Sequence, residues 1–321
     1  MKYKLGSKKL EKLKPYLYIL PAAIIVIAFR LIPIFLSFLI SFYHWSISGT
    51  GRFIGLANYS HLFKDPEFWQ SMLNTFYLVI FVVPTTIILS LTFAALLNNI
   101  TKIKGFFRTV YYIPTVTSMV AISIVWKIIF NQQSGLANFL IQKIGMEPLG
   151  WLSESRGIFT LLFAKIGVHL PAILGGPSLA LFSIIIVSIW RSLGYNTIIY
   201  LAGLQNIPNM YYEASKIDGA SKFQQFKDIT IPMISPTTFY ILMMTTITTF
   251  QVFSQVYLMT GPPIGGPLGT TKVILYYIFE TGFGENQDLS YASSIALVLF
   301  IIILSLTLLQ KKFEKKYVHY Q

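Results

Sequence analysis

The sequence predicts an all-α integral membrane protein with about six transmembrane helices. Hydrophobic residues make up 54% of its 321 residues and charged residues only 12%, whereas a soluble domain carries roughly 25% charge. The apolar residues also form long runs, and a helix needs about 20 of them to cross a bilayer core. Composition and run length therefore indicate the same class, because a lipid-facing surface needs no charge.

Six segments are long and apolar enough to be spans. Prolines 21, 33 and 84 fall inside them, which membrane helices tolerate. The first segment is too long for the apolar region of a cleaved signal peptide, and no small-x-small cleavage site follows it, so we expect a retained helix. The predicted spans are residues 15–43, 71–97, 110–130, 178–204, 233–259 and 291–309.

Lysine and arginine are distributed unequally between the loops. Sixteen lie in the two tails and in the second-to-third and fourth-to-fifth loops, and six lie in the opposite loops. Basic residues accumulate on the cytoplasmic side, so both termini are predicted to be cytoplasmic. The net charge of +13 then reflects topology and not nucleic-acid binding. Residues 1–14 and 311–321 are basic tails, 15–70 hold the first span and an external loop, and 71–310 form the core transmembrane domain.

Residues 157–177 are apolar but contain Lys165, His169, Pro171 and the pair Gly175–Gly176. If they spanned the membrane, the lysine-rich loops that follow would become external, against the charge rule. We expect an interfacial or re-entrant element on the outer face. A short external helix around residues 135–145 is expected to lie there as well.

Several classes of chemistry lack their residues in this sequence. It has no cysteine, which excludes disulfides and thiolate sites. It also has no G-x-x-x-x-G-K-[ST] loop, no H-E-x-x-H motif and no glycosidase-like carboxylate pair. We therefore expect that the chain alone is not an enzyme.

The fourth-to-fifth loop, residues 205–232, is predicted to be a helix–turn–helix hairpin. Pro208 and Asn209 suit a helix start, with asparagine at the cap. Gly219 can take a positive φ and end that helix. Ser221 can cap a second short helix, and Pro232 begins the return to the membrane.

The predicted hairpin has a surface suited to a protein partner. Ala214, Ser215 and Ala220 are small enough to let another protein approach closely, whereas Ile217 and Phe223 offer apolar anchors. Amphipathic helices of this kind bind grooves on soluble partners.

The same residues resemble a family signature. Glu213-Ala214-Ser215, Gly219 and Ile231-Pro232 are similar to the Glu-Ala-Ala…Gly…hydrophobic–Pro pattern in the cytoplasmic loop of permeases from binding-protein-dependent ABC importers. Asp218-Gly219-Ala220, Phe226 and Pro236 resemble its carbohydrate-uptake branch, the maltose and glycerol-phosphate type. Ser215 stands where alanine is usual, which is conservative in size.

Further segments resemble the same family, and together they cover nearly the whole chain except residues 157–177. They are Phe53–Tyr59 (G-L-x-N-Y), Trp69–Thr75 (W-x-x-x-x-N-T), Leu201–Pro208 before the signature loop, and Leu258–Thr271 (T-x-G-G-P…T-T).

The resemblance implies a type I ABC importer permease in a bacterial cytoplasmic membrane. A second homologous permease, forming a heterodimer with this chain, would complete the pathway, and an extracytoplasmic binding protein would deliver the solute. Two ATP-binding subunits would hold ATP and Mg, so no cofactor is implied on this chain. The hairpin would couple ATPase closure to alternating access. The implied coupling residues are Glu213, Ala214, Ser215, Ile217, Asp218, Gly219, Ala220, Phe223 and Pro232.

Polar side chains inside the spans are candidates for the solute pathway, because amides facing lipid are penalised. Resemblance to maltose-type permeases matches Tyr195, Phe250 and Gln251 to pathway positions. The alternative is that these side chains join helices to one another. The full candidate set is Tyr195, Phe250, Gln251, Ser254, Gln255 and Arg191.

The favoured function is import of an oligosaccharide, with partner subunits, a carbohydrate and the lipid bilayer as partners and no nucleic acid. The same class could instead import a uronide, a polyol or glycerol phosphate. A secondary transporter would show an internal repeat and acids within spans, and no acid falls within a predicted span. A scaffold subunit without solute contact is the remaining alternative.

Overall fold

The computed structural model describes residues 4–45, 51–99, 104–164, 166–168, 171, 174–261, 263–285 and 287–317, and most of them are helical. π-helical turns follow α1 (Ile27–Leu31) and α11 (Phe226–Thr230), and a 3-10 turn covers Pro267–Gly269. The other elements are α1 (Lys4–Val26), α2 (Ile32–Ile40), β1 (Tyr43–His44), β2 (Arg52–Phe53), α3 (Ala57–Leu62), α4 (Pro66–Asn99), α5 (Lys104–Val116), α6 (Met119–Ile129), α7 (Leu136–Lys143), α8 (Ile158–Ala164), α9 (Leu179–Gln205), α10 (Asn209–Ile217), α11 (Lys222–Gln225), α12 (Ile231–Met233), α13 (Ser235–Phe250), α14 (Ser254–Met259), α15 (Ile274–Phe283) and α16 (Leu289–Tyr317).

Four continuous helical stretches within the described residues are long and apolar enough to cross a membrane. They correspond to the first, second, fourth and sixth predicted spans. A bent pair of helices in the third predicted span raises the number to as many as five. The four stretches are Lys14–Ile40, Pro66–Asn98, Leu179–Gln205 and Leu289–Lys315.

The third and fifth predicted spans are interrupted helices, where the sequence pattern suggested continuous ones. α5 and α6 meet at an angle of 106°, with Ser118 extended between them (φ −55°, ψ 133°). The fifth span stops at Phe250 and restarts at Ser254, because Phe253 has non-helical backbone angles (φ −136°, ψ −58°). The breaks were not predicted, because no charged residue lies at either of them.

Among the described residues of the segment 157–177, α8 is a helix of seven residues, which is too short to cross a bilayer. A bridge between Gly157 and Ser178 closes its base, and a Cβ at Gly157 would lie 2.0 Å from the Gly175 carbonyl oxygen. Lys165 and His169 lie outside the described residues. α7 confirms the short helix predicted near residues 135–145, whereas α15 was not predicted.

One compact unit comprises residues 1–64 and 278–298. Within it, the buried Asn58 amide donates to the carbonyls of Ser41 (2.9 Å) and Tyr43 (3.3 Å). The Tyr59 and Ser41 hydroxyls also hydrogen-bond, at 2.7 Å. Helix ends leave carbonyls without partners, so the asparagine and tyrosine of this G-L-x-N-Y element serve to fasten the end of α2.

The second unit comprises residues 65–277 and 299–321, and α4 packs along α9 within it. α5 and α9 approach each other closely at Gly194 of α9. A Cβ at this position would lie only 1.7 Å from the Tyr111 carbonyl oxygen, so glycine is needed here. The apolar core around α4 and α9 includes Leu78, Val82, Leu181, Ile184 and Val256. These contacts fix the helices that carry the candidate site.

The W-x-x-x-x-N-T element fastens α4 to the segment that precedes α15. The buried Asn74 amide donates to the carbonyls of Gly269 (3.1 Å) and Lys272 (2.9 Å). The Thr75 hydroxyl accepts from the Ile274 N–H at 2.9 Å.

Replacing Asn74 by leucine is expected to destabilise the protein, because it leaves two carbonyls without their donor. Loss of buried hydrogen bonds costs about 1–3 kcal/mol, which a lowered thermal transition in detergent would show. Gln70→Leu is the matched control, since the exposed Gln70 amide donates to the Leu268 carbonyl in the same segment. Equal transition temperatures for the two variants would contradict this role for Asn74.

Candidate functional site

The loop between α9 and α13 is a helical hairpin, as the sequence predicts. α10 begins at Asn209, but its N-cap is Pro208 and makes no side-chain bond. The prediction of Asn209 as the cap is therefore one residue off. Proline fits this position because its fixed φ is compatible with extended backbone (φ −63°, ψ 133°).

The turn of the hairpin has the predicted chemistry. Gly219 has φ +77°, and its N–H donates to the Lys216 carbonyl (3.1 Å) while the Ala220 N–H donates to that of Ser215 (2.9 Å). This pair of bonds is a Schellman helix end. Ser221 then caps α11 in a capping box with Gln224.

The base of the hairpin belongs to an apolar core at the ends of α4 and α9 and the start of α13. Ile207 near the start of the hairpin and Ile234 just after its end are buried there with Leu97 and Leu204. Tyr212 of α10 packs against the same core, so the hairpin and the long helices are joined by buried apolar contacts.

The tip of the hairpin is exposed. Ile217 is 87% exposed and Phe223 is 74% exposed, although burial of such side chains is favourable. The predicted coupling residues thus divide into two groups. The half-buried group is Ser215, Ala220 and Pro232. The exposed group is Glu213, Ala214, Ile217, Asp218, Gly219 and Phe223.

A cavity of about 190 Å³ lies among α5, α9 and α13. It is called the membrane cavity below. Tyr195 is 43% exposed, and the buried Nε of Arg191 has no hydrogen-bond partner in the part of the chain that the structure describes. The lining residues are Thr115, Arg191, Ser192, Tyr195, Asn196, Met244, Thr245 and Thr248.

The structure brings only part of the predicted pathway set to this cavity. Arg191 and Tyr195 line it, whereas Phe250 is 1% exposed and packs edge-on against Phe76 with centroids 5.7 Å apart. Gln255 is buried, Gln251 is exposed just past α13, and Ser254 begins α14.

Sequence reasoning missed the hydroxyl and amide groups of Thr115, Asn196 and Thr245 in the cavity lining. The run of threonines from Thr245 to Thr249 was a usable signal, since polar side chains within an apolar span call for a polar surrounding. Within the described ranges, no group of three or more His, Cys, Asp or Glu side chains could hold a metal ion.

One ion pair lies in the loop before α9. The Arg156 guanidinium donates to the Glu154 carboxylate at 2.7 and 3.1 Å, and this hydrogen bond lowers the pKa of Glu154. A carboxyl with a lowered pKa stabilises the fold at neutral pH and loses that contribution as pH falls through its folded pKa. Arg156 is largely exposed, so the contribution is small.

Comparison with known proteins gives consistent matches over most of the chain. Residues 54–319 match the family described as "Binding-protein-dependent transport system inner membrane component". The chain is 36% identical over 310 residues to the probable ABC transporter permease protein YurN of Bacillus subtilis (strain 168), covering 95% of this chain and 97% of the relative. It is 35% identical over 309 residues to the lactose transport system permease protein LacF of Rhizobium radiobacter, covering 94% of each.

A solved structure has the same fold. It is a chain of the bacterial alginate ABC transporter in complex with alginate pentasaccharide-bound periplasmic protein, with a TM-score of 0.76, 21% identity and 96% of both chains covered. The family match spans far more than half of this sequence, and the apolar helices are those of a multi-pass membrane protein. The chain therefore belongs to the family of binding-protein-dependent transport system inner membrane components.

Proposed function

We propose that the chain is the transmembrane permease subunit of an ATP-driven, binding-protein-dependent importer of oligosaccharides. Six membrane crossings, counting the interrupted third and fifth, would leave both termini and the hairpin of residues 205–232 in the cytoplasm. The observation that carries the proposal is the exposed pair Ile217 and Phe223 at the tip of the hairpin. The base of the same hairpin is part of the apolar core at the ends of α4 and α9.

The proposed partners follow from what the chain lacks and from its relatives. Its sequence has no phosphate-binding glycine loop, so ATP and Mg would bind to two separate ATP-binding subunits. A second permease would complete the pathway. The alginate transporter of similar fold is described in complex with a periplasmic protein, which supports delivery of the solute by a binding protein.

Oligosaccharides are the proposed solutes. The membrane cavity offers the partly exposed ring of Tyr195 beside the hydroxyls of Thr115 and Thr248, and sugar sites combine such rings with a few polar groups. Lactose and alginate are named for two of the similar proteins. A uronide is the second candidate, because the Arg191 Nε lacks a partner among the described residues and a carboxylate would supply one.

Placing glutamate at both Ile217 and Phe223 is expected to release the ATP-binding subunits. The apolar anchors would become charges that a groove on the partner must desolvate. Affinity purification of the tagged permease, co-expressed with its partners, should recover at least about tenfold less ATP-binding subunit, since interface anchors contribute about 2 kcal/mol or more.

Ile144→Glu is the matched control for this experiment. Ile144 is 73% exposed and directly follows α7, outside the hairpin and on the proposed external face. Its substitution should leave recovery of the ATP-binding subunits unchanged. Wild-type recovery with the doubly charged hairpin would reject the proposed coupling role.

A further inference from the structure

The two helices of the hairpin are joined by hydrogen bonds between three residues, Tyr212, Ser215 and Gln225, which we call the polar clasp. The Gln225 amide on α11 donates to the Ser215 hydroxyl (2.9 Å) and to the Tyr212 carbonyl (3.3 Å) on α10. The Ser215 hydroxyl in turn donates to the Tyr212 carbonyl at 2.9 Å. All three residues are half-buried.

Tyr212 connects the polar clasp to the apolar core at the ends of α4 and α9. The Tyr212 hydroxyl hydrogen-bonds that of Thr230 at 2.9 Å, and Thr230 is 6% exposed. The Tyr212 ring packs on the core that holds Leu204 and Ile234. The polar clasp thus joins α11 to a residue that packs on the same core as the long helices.

The tip of the hairpin is exposed to solvent. A Cβ at Gly219 would have no neighbour within 4 Å, and the anchors Ile217 and Phe223 are exposed. α11 has only four residues and continues through the π turn Phe226–Thr230 into α12. The angle between α10 and α11 is therefore set by the turn at Gly219 and by the polar clasp.

We propose that Ser215 and Gln225 are positioning residues that hold Ile217 and Phe223 in a fixed relation, so that both anchors move with the long helices as one body. This inference rests on the proposed coupling function. An alanine at position 215 would lack the hydroxyl that accepts from Gln225. The polar clasp is therefore built from the pairing of Ser215 with Gln225 in this chain.

Distances between spin labels test this inference directly. The chain has no cysteine, so Lys222→Cys on α11 and Leu96→Cys on α4, both exposed, can be labelled in the complete importer in nanodiscs. Ser215→Ala or Gln225→Leu should enlarge the population outside the main distance peak roughly threefold to tenfold, the effect of losing one hydrogen bond of ordinary net strength. Ser215→Thr, which keeps the hydroxyl, should restore the narrow distribution.

A second readout separates positioning from simple stability. Trapping the ATP-binding subunits with Mg·ATP and vanadate should move the main peak of the 222-to-96 label distance in the unmodified hairpin. In Ser215→Ala and Gln225→Leu, the trapped state should instead give a broad distribution of this distance. Thr92→Val, which removes an exposed hydroxyl bond to the Ile88 carbonyl on α4, is the control and should behave like the unmodified hairpin.

The outcomes distinguish this inference from the proposed function. Narrow distributions and an unaltered shift in both Ser215→Ala and Gln225→Leu would overturn the polar clasp and leave the proposed function standing. Absence of any vanadate-dependent shift in the unmodified hairpin would overturn both.

Discussion

Replacing Gly219 by proline is expected to reduce uptake strongly while the protein still reaches the membrane. Gly219 has φ +77°, whereas proline is restricted to about −65°. Its N–H also donates to the Lys216 carbonyl at 3.1 Å, and proline has no such donor. The turn must therefore rearrange, and Ile217 and Phe223 are no longer presented together.

Uptake of labelled oligosaccharides by the reconstituted importer measures the effect. Backbone strain of this kind costs about 1–3 kcal/mol, and the lost hydrogen bond adds to it, so uptake should fall roughly a hundredfold. Gly219→Ala keeps the N–H that donates to the Lys216 carbonyl. Its only strain is the positive φ of a residue with a Cβ. It should give an intermediate loss of about threefold to tenfold.

Gly145 provides a control with nearly the same local geometry. It has φ +79°, follows α7, and its N–H donates to the Gln142 carbonyl at 3.0 Å. A Cβ at either Gly145 or Gly219 would find no neighbour within 4 Å. Gly145→Pro should thus impose similar strain outside the hairpin and leave uptake largely intact. Equal losses at both positions would assign the effect to general misfolding and reject the coupling role.

The hairpin could be predicted from sequence because its signals are local. A glycine that ends a helix and a serine that caps the next one act within a few residues, and the structure confirms Gly219 and Ser221 in these roles. Asn209 was misplaced by one position, since both proline and asparagine are compatible with a helix start. The polar clasp was not predicted, because Ser215 and Gln225 meet only after the turn is formed.

The interruptions in the third and fifth spans could not be predicted by the same means. No charged residue marks Ser118 or Phe253, and contacts with distant parts of the chain cannot be read from a local sequence pattern. Phe253, for example, stacks on Tyr257 and Tyr276 with centroids 5.4 and 6.3 Å apart. The membrane cavity has the same origin, because it forms where three helices, distant in sequence, meet.

Tyr195→Ala is expected to reduce uptake and change the preference between solutes, while binding of the ATP-binding subunits is preserved. Tyr195 lines the membrane cavity, and the residue is 43% exposed, so we expect its ring to contact a passing sugar. Aromatic anchors in binding sites contribute about 1–2 kcal/mol, which corresponds to roughly tenfold. The ratio of uptake rates for lactose and an alginate oligosaccharide, measured in the same proteoliposomes, reports the preference.

Phe250→Leu separates a pathway residue from a packing residue. Phe250 was a pathway candidate by sequence, yet it is 1% exposed and packs edge-on against Phe76. Its substitution should lower thermal stability by about 1–3 kcal/mol and leave the uptake ratio unchanged, because its ring lies outside the cavity lining. If Tyr195→Ala also leaves the ratio unchanged and lowers only stability, the cavity is a packing defect between helices. The pathway would then have to lie against the second permease, with this chain as its scaffold.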